Sequence, residues 1–441
     1  MQLQAGRVGG RLKGLAAARM GGAALLVLAS SFGALALSGC SCETEGPATA
    51  AVSVVRVPEP AAAESAQEGN QETSVPSPPK SSGKAVSDEA RVFASDVLGD
   101  VVVREAGDPA NAWALAHGML ALGPEFKARD GRSALRVLAD DFLESDAFGP
   151  MFAKNRDGRP VEPHTDLILK TLLERGYGLD EVLKPGVTVG DLLRASRARF
   201  KPVRDEGGRL GFPVPNDAPW SVQSWCQAAA SDKTLGWESQ AGSVSIDEVA
   251  LALLGKLEFE THFIRSAIAR GESFEKRKQG IFAYTCGGAH LFQGAASCAS
   301  LGWPKKGNST KRIAIQVEQY LARFDVETGL VDQALRQNPQ LAMILHNQDL
   351  KFLGHLIESL SKLERDGLWT PNSAELALLD KAEARLIANI IELKRSGAYS
   401  PAAMSKFAAN PQVFQLYLDL VGDAAHALHG LKLRAELAKS R

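Results

Sequence analysis

Residues 247–271 read DEVALALLGKLEFETHFIRSAIARG, and in them apolar residues return every three or four positions. That period puts an apolar stripe on one face of an α-helix and charge on the other. Residues 349–367, DLKFLGHLIESLSKLERDG, and 373–397, SAELALLDKAEARLIANIIELKRSG, repeat it. In the last of these, Glu and Lys at helical spacing describe a solvated outer helix. Strand-like runs are scarce, and the clearest long loop is the Pro- and Gly-rich stretch 201–219, KPVRDEGGRLGFPVPNDAP. From residue 89 to 441 the chain is therefore expected to be all-α.

Within this string a unit recurs. His164, His290 and His355 each stand 12 residues before a glycine (Gly176, Gly302, Gly367), and an aromatic follows closely at Tyr177, Trp303 and Trp369. Looser relatives begin at His117 and His262 and around His426 and His429. Each reads as a short helix with His in its first turn and a Gly stop. Repetition over tens of residues points to stacked helical hairpins, because one hairpin cannot cover its own apolar face. His117 to His164 is 47 residues and His164 to His262 is 98, but the later spacings are 28, 65 and 71. This irregularity favours a closed α/α toroid over an open helical-repeat solenoid, with the histidines directed into one central cavity. The helical part resembles, in architecture alone, the α/α-toroid class of periplasmic polysaccharide lyases, terpene cyclases, prenyltransferase β-subunits and lanthionine cyclases.

The chain has 441 residues, is 45% hydrophobic and only 6% aromatic, and carries a formal net charge of −1. Arg7, Arg11, Lys13 and Arg19 face no acid in the first forty residues, so the remainder is more acidic still. No clustered basic surface for nucleic acid is implied. The basic stretch leads into GGAALLVLASSFGALAL at 21–37, which has the length and composition of an export signal core. The chain continues into Leu37-Ser38-Gly39-Cys40, which resembles the lipobox of bacterial lipoproteins. The resemblance implies cleavage after residue 39 and acylation of Cys40, and Ser41 implies sorting to the outer membrane, facing periplasm or cell surface. The membrane is then a partner through the lipid. Residues 40–88 read as a disordered tether: 43–88 holds six prolines and no Leu, Ile, Met, Phe, Tyr or Trp. As a coil it spans about 35–40 Å.

Cys226, Cys286 and Cys298 fall in the helical part, and an oxidising compartment would pair two of them. The stretch YTCGGAHLFQG at 284–294 carries the densest chemistry. Adjacent glycines place a helix start there, with Thr285 or Cys286 near the N-cap, the Gly287 and Gly288 amides facing a ligand, and His290 one turn on. Glu258 and His262 are also four apart. Cys286, His290 and His262, with Glu258 or another of the recurring histidines, thus form a candidate zinc set, thiolate and imidazole being what zinc prefers. The zinc-bearing toroid families use different spacings, since the adjacent Cys-His pair of the cyclases is missing here.

A metal-free reading makes Tyr284, His290, His262 and His164 the acid and base of a glycan lyase, with His117 in the same cavity and Trp220, Trp225 and Trp237 near the long loop. The bland reading keeps these groups as packing: a capped core His, a buried Cys bridged to Cys226 or Cys298, and Glu162-Pro163-His164-Thr165-Asp166 as an ordinary helix start. A helical scaffold for an envelope protein partner follows from it. A small molecule, a glycan and a protein all remain open as ligands. There is no phosphate-binding GxxxxGK[ST] loop, no GxSxG elbow and no CxxC pair.

Overall fold

The computed structural model describes residues 86–440. The signal segment, Cys40, Cys42 and nearly all of the expected tether lie outside the described residues. Thirteen α-helices follow in order: α1 (Asp88–Ala106), α2 (Ala112–Leu122), α3 (Ala134–Val137), α4 (Leu167–Glu174), α5 (Val189–Arg199), α6 (Ala218–Asp232) and α7 (Ile246–Ala269). Then come α8 (Ala289–Ser300), α9 (Ser309–Gln337), α10 (Ala342–Arg365), α11 (Ser373–Arg395), α12 (Pro401–Ala409) and α13 (Phe414–Ser440).

The chain is mostly helical, but the all-α expectation needs correcting. Five two-stranded antiparallel hairpins lie between α3 and α7. One of them, Val203–Arg204 with Leu210–Gly211, sits inside the stretch expected as a loop. Its turn is closed by Gly208 at φ 75°, a conformation that Gly adopts without strain.

Local sequence explains where the helices begin and end. Ser245 with Glu248, Thr188 with Asp191 and Asn372 with Glu375 form reciprocal capping boxes on α7, α5 and α11. Gly176, Gly302 and Gly367 adopt φ of 85°, 81° and 68° and end α4, α8 and α10. The residue after each donates its N–H five positions back, as Tyr177 does to Leu172 O at 3.1 Å and Trp303 to Cys298 O at 2.9 Å. The histidines do not share a helix-start position. Only His290 lies in a first turn; His164 precedes α4, while His117, His355 and His426 sit mid-helix.

Helices α2, α4, α6, α8, α10 and α13 are buried along most of their length. Each packs against the next in that order, and α13 returns to pack against α2. Helices α1, α7, α9 and α11 pack against members of this set and have more exposed positions. Cys226 on α6 and Cys298 on α8 form a disulfide with a Cα–Cα distance of 5.3 Å, joining two neighbours in the cycle. Helices α10 and α13 approach one another closely. A Cβ on Gly430 would stand 2.9 Å from the Glu358 backbone nitrogen, and one on Gly354 would stand 3.1 Å from Ala427 Cβ. Glycine therefore lets the two backbones touch, which sets His426 and His429 over Glu358.

Candidate functional site: a histidine-lined cavity

The 284–290 segment builds one wall of the site. Cys286, Gly287 and Gly288 take three consecutive left-handed conformations, with φ of 51°, 59° and 78°, before α8 starts at Ala289. For cysteine this costs on the order of 1 kcal/mol, a strain that collects at functional positions. Gly288 is required: a Cβ there would fall 2.2 Å from Ile281 Cδ1 and 3.0 Å from Ile281 O. The Thr285 amide donates to Asn216 Oδ1 at 3.1 Å and pins the turn. The expected geometry is thus corrected: Gly288 is the N-cap, and the left-handed turn, not i, i+4 helical spacing, brings Cys286 beside His290.

Residues of α2, α4, α6, α8, α10 and α13, or of the segments leading into them, line one cavity. Five of the eight histidines line it (His117, His164, His290, His355 and His426), together with Cys286, Trp113, Trp220, Lys170, Lys351, Asp419 and Asp423. The cavity is narrow, at about 30 Å³, enough for two or three waters. The imidazoles are packed against one another: ring centroids are 4.0 Å apart for His355 and His426, 4.9 Å for His290 and His355, and 5.3 Å for His290 and His426. One ligand atom each from Cys286, His290 and His355 lies within 4.8 Å of the others.

Hydrogen bonds fix which nitrogen faces the cavity. His117 Nδ1 is 2.7 Å from Trp113 O, His164 Nδ1 is 3.2 Å from Asp217 Oδ1, and His426 Nδ1 is 2.8 Å from Glu358 Oε2. Carbonyls and carboxylates only accept, so Nδ1 carries the proton and the lone pair of the neutral ring is on Nε2. The Nδ1 of His290 is buried with no hydrogen-bond partner among the described residues. Burial, followed by the neighbouring His355 and His426, holds His290 well below its ordinary pKa, so the ring is neutral near pH 7. Burial and then His355 do the same to His426.

Below the cavity lies a buried charged layer. Glu358 is fully buried and accepts from Lys362 Nζ and His429 Nδ1 on Oε1, and from His426 Nδ1 and Gln293 Nε2 on Oε2. Burial alone would raise its pKa, but Lys362 and His426 outweigh burial and keep it well below the usual carboxylate range. Lys362 also pairs with Glu174, which pairs with Lys170 at 2.5 Å.

The structure brings Cys286, His290, His164 and His117 to this cavity and leaves the other expected site residues outside it. His262 is exposed on α7 and contacts Ser266 at 3.3 Å. Glu258 forms an ion pair with Arg312 at 2.6 Å. Both lie off the buried apolar stripe of α7, so neither can join Cys286 and His290. The Tyr284 hydroxyl donates to Glu260 at 3.0 Å, and burial and then Glu260 raise its pKa, the wrong direction for a general base. The groups that replace them, His355, His426 and Glu358, lie on α10 and α13. Their sequence signal was the His repeat itself and the pair His426 and His429 in AHALHG.

Next to His164, Glu162 and Asp166 are buried carboxyls at the start of α4. Glu162 Oε1 accepts from the Ile168 amide at 2.7 Å, while Asp166 Oδ2 accepts from Ser196 and Ser221 at 2.7 and 2.5 Å. Burial, then the charge of Asp166, pushes Glu162 well above its ordinary pKa. The folded state therefore binds this proton more tightly than the unfolded chain, and stability falls as pH rises above about 4.5 towards the folded pKa. Glu162→Gln keeps the acceptor for Ile168 and removes the charge. It is expected to stabilise the protein at pH 7 by about 1 kcal/mol or more and to flatten the fall in urea midpoint between pH 4.5 and 7. An unchanged slope would show that Glu162 does not carry it.

No protein-family model, curated protein or solved structure matches the chain.

Proposed function

We propose that this is a lipid-anchored envelope protein, held at the outer membrane through Cys40, whose helices form an α/α toroid that binds a transition-metal ion of the zinc class in its central cavity. The cyclic packing order, in which α13 returns to α2, supports the toroid over an open solenoid. The Cys226–Cys298 disulfide supports an oxidising compartment. No helix among the described residues is long and apolar enough to cross a membrane, and anchoring on acyl chains requires none.

The observation that carries the metal reading is His290 itself: one of its ring nitrogens lies within 4.8 Å of a thiol and of a second imidazole, and its buried Nδ1 has no partner among the described residues. An orphaned buried nitrogen costs about 1–3 kcal/mol, and coordination removes that cost. Tetrahedral zinc places sulfur and nitrogen ligands about 3.3–3.6 Å apart, so the three groups would draw together by up to about 1.2–1.5 Å on binding. The narrowness of the cavity favours an ion over a saccharide, and the Tyr284 hydroxyl, held by Glu260, does not line it, which weighs against the lyase reading.

Elemental analysis of the purified full chain is expected to find close to one zinc per chain. Cys286→Ala should lower the zinc content at least tenfold after dialysis against a weak chelator, while His262→Ala leaves it unchanged. A folded wild-type chain that takes up no metal from a zinc solution would end this reading.

A further inference from the structure

We propose that His426 is the fourth protein ligand of this centre, that Glu358 is the residue that positions it, and that the closed coordination sphere holds the metal instead of activating water on it. This rests on the metal reading above and extends it to two residues on two other helices. Four donors converge on one fully buried carboxylate: Lys362 Nζ at 2.8 Å and His429 Nδ1 at 2.8 Å on Oε1, His426 Nδ1 at 2.8 Å and Gln293 Nε2 at 3.0 Å on Oε2. They use the acceptor sites of both oxygens, so Glu358 is not itself available as a ligand.

What Glu358 does instead is set the His426 ring. With its Nδ1 proton on the carboxylate, His426 carries its lone pair on Nε2 and borders the cavity, its centroid 4.0 Å from His355 and 5.3 Å from His290. A carboxylate behind a ligating imidazole fixes its tautomer, orients it and makes it more basic, and removal of such a partner typically weakens metal affinity 10- to 100-fold. The fold supplies this arrangement at the Gly430 contact. Backbone touches backbone there, and His426 and His429 descend one on each oxygen of Glu358. Lys362 balances the carboxylate charge, so the positioning group is stable without the metal. With His426 closing on Cys286, His290 and His355, whose ligand atoms lie within 4.8 Å of one another, one thiolate and three imidazoles would supply four donors, and closed four-ligand zinc sites retain their ion, whereas catalytic ones keep a position open.

The test uses the full chain, stripped with chelator and titrated with Co²⁺, whose absorption reports both the thiolate and the coordination number, and with Zn²⁺ against a chromophoric competitor. Wild type is expected to bind one Co²⁺ with a thiolate charge-transfer band and intense four-coordinate d–d bands that do not respond to added azide. Glu358→Gln should weaken zinc binding 10- to 100-fold. His426→Ala should weaken it further, keep the thiolate band, and acquire an azide-sensitive d–d spectrum, because a solvent position has opened. Loss of packing alone does not produce that spectral change.

Should Glu358→Gln fail to fold, Glu358→Gln with Lys362→Met removes the opposing charge together with it and is expected to show the same weakened affinity. Should that fail as well, the His426→Ala spectrum decides. A folded Glu358→Gln chain with wild-type zinc affinity, an unaltered Co²⁺ spectrum in His426→Ala, or an azide response in wild type overturns this inference while leaving a centre on Cys286, His290 and His355 standing. Retention of full affinity in Cys286→Ala overturns both.

Discussion

A chain in which Cys226 and Cys298 are both replaced by Ala is expected to lose about 4 kcal/mol of unfolding free energy, because the disulfide closes a loop of 72 residues in the unfolded state. At about 2.1 cal/mol/K per residue, a domain of this size would melt about 5 °C lower. The two sulfurs tie α6 to α8, whose ends carry Trp220 and His290 to the cavity, so the loss should reach the site as well as the melt. Cys286→Ala in metal-stripped protein leaves the cross-link intact and should move the melt by much less. Differential scanning calorimetry with and without a thiol reductant separates the cases. Coincident melts for wild type and the double variant under oxidising conditions would show that the bridge does not form in solution.

Much of the helical content was legible because period, caps and glycine stops are local. Ser245 with Glu248, or Gly302 before Trp303, needs only a few neighbours to be read. The site was less legible because it is built from groups far apart in sequence. Glu258 and His262, four apart on a strong helix, looked like half of a metal set. Yet the stripe of Val249, Leu253, Leu257 and Ile264 faces the core, which turns His262 to solvent and Glu258 to Arg312. That phase was present in the sequence, and weighing it would have removed both residues.

The opposite error was available on α10. Glu358 and Lys362, four apart, lie by period alone on the wet face of an amphipathic helix, since polar stripes usually face water, although His355 one turn before Glu358 was expected to point into the cavity. Here α10 is covered on both sides, and His355, Glu358 and Lys362 are all buried. A single helix cannot distinguish an outer wet face from an inner polar one. Only the return of α13 onto α10 and α2 does so. The turn at Cys286 was missed for a related reason: a left-handed cysteine is unfavourable locally and is held by Asn216 and by the packing of Gly288 on Ile281.

Lys362→Met is expected to destabilise the protein by about 3–5 kcal/mol, the usual cost of leaving a buried charge without its partner. Its ammonium lies between Glu358 and Glu174, and Lys170 holds only the latter, so the variant leaves two buried carboxylates to one lysine. Methionine fills nearly the same volume, which confines the loss to charge. Glu358→Gln removes the opposite sign, so the pair should be strongly non-additive: the double variant should recover most of the stability lost in Lys362→Met, as buried ion pairs exchanged for uncharged groups often do. Zinc affinity should not recover with it, because the amide cannot replace the carboxylate behind His426. Urea denaturation and zinc competition on the same four proteins therefore measure two separate consequences of one carboxylate. If affinity and stability returned together in the double variant, Glu358 would act on the site through folding alone; if stability stayed low, the charge layer would not be the coupled pair that its distances describe.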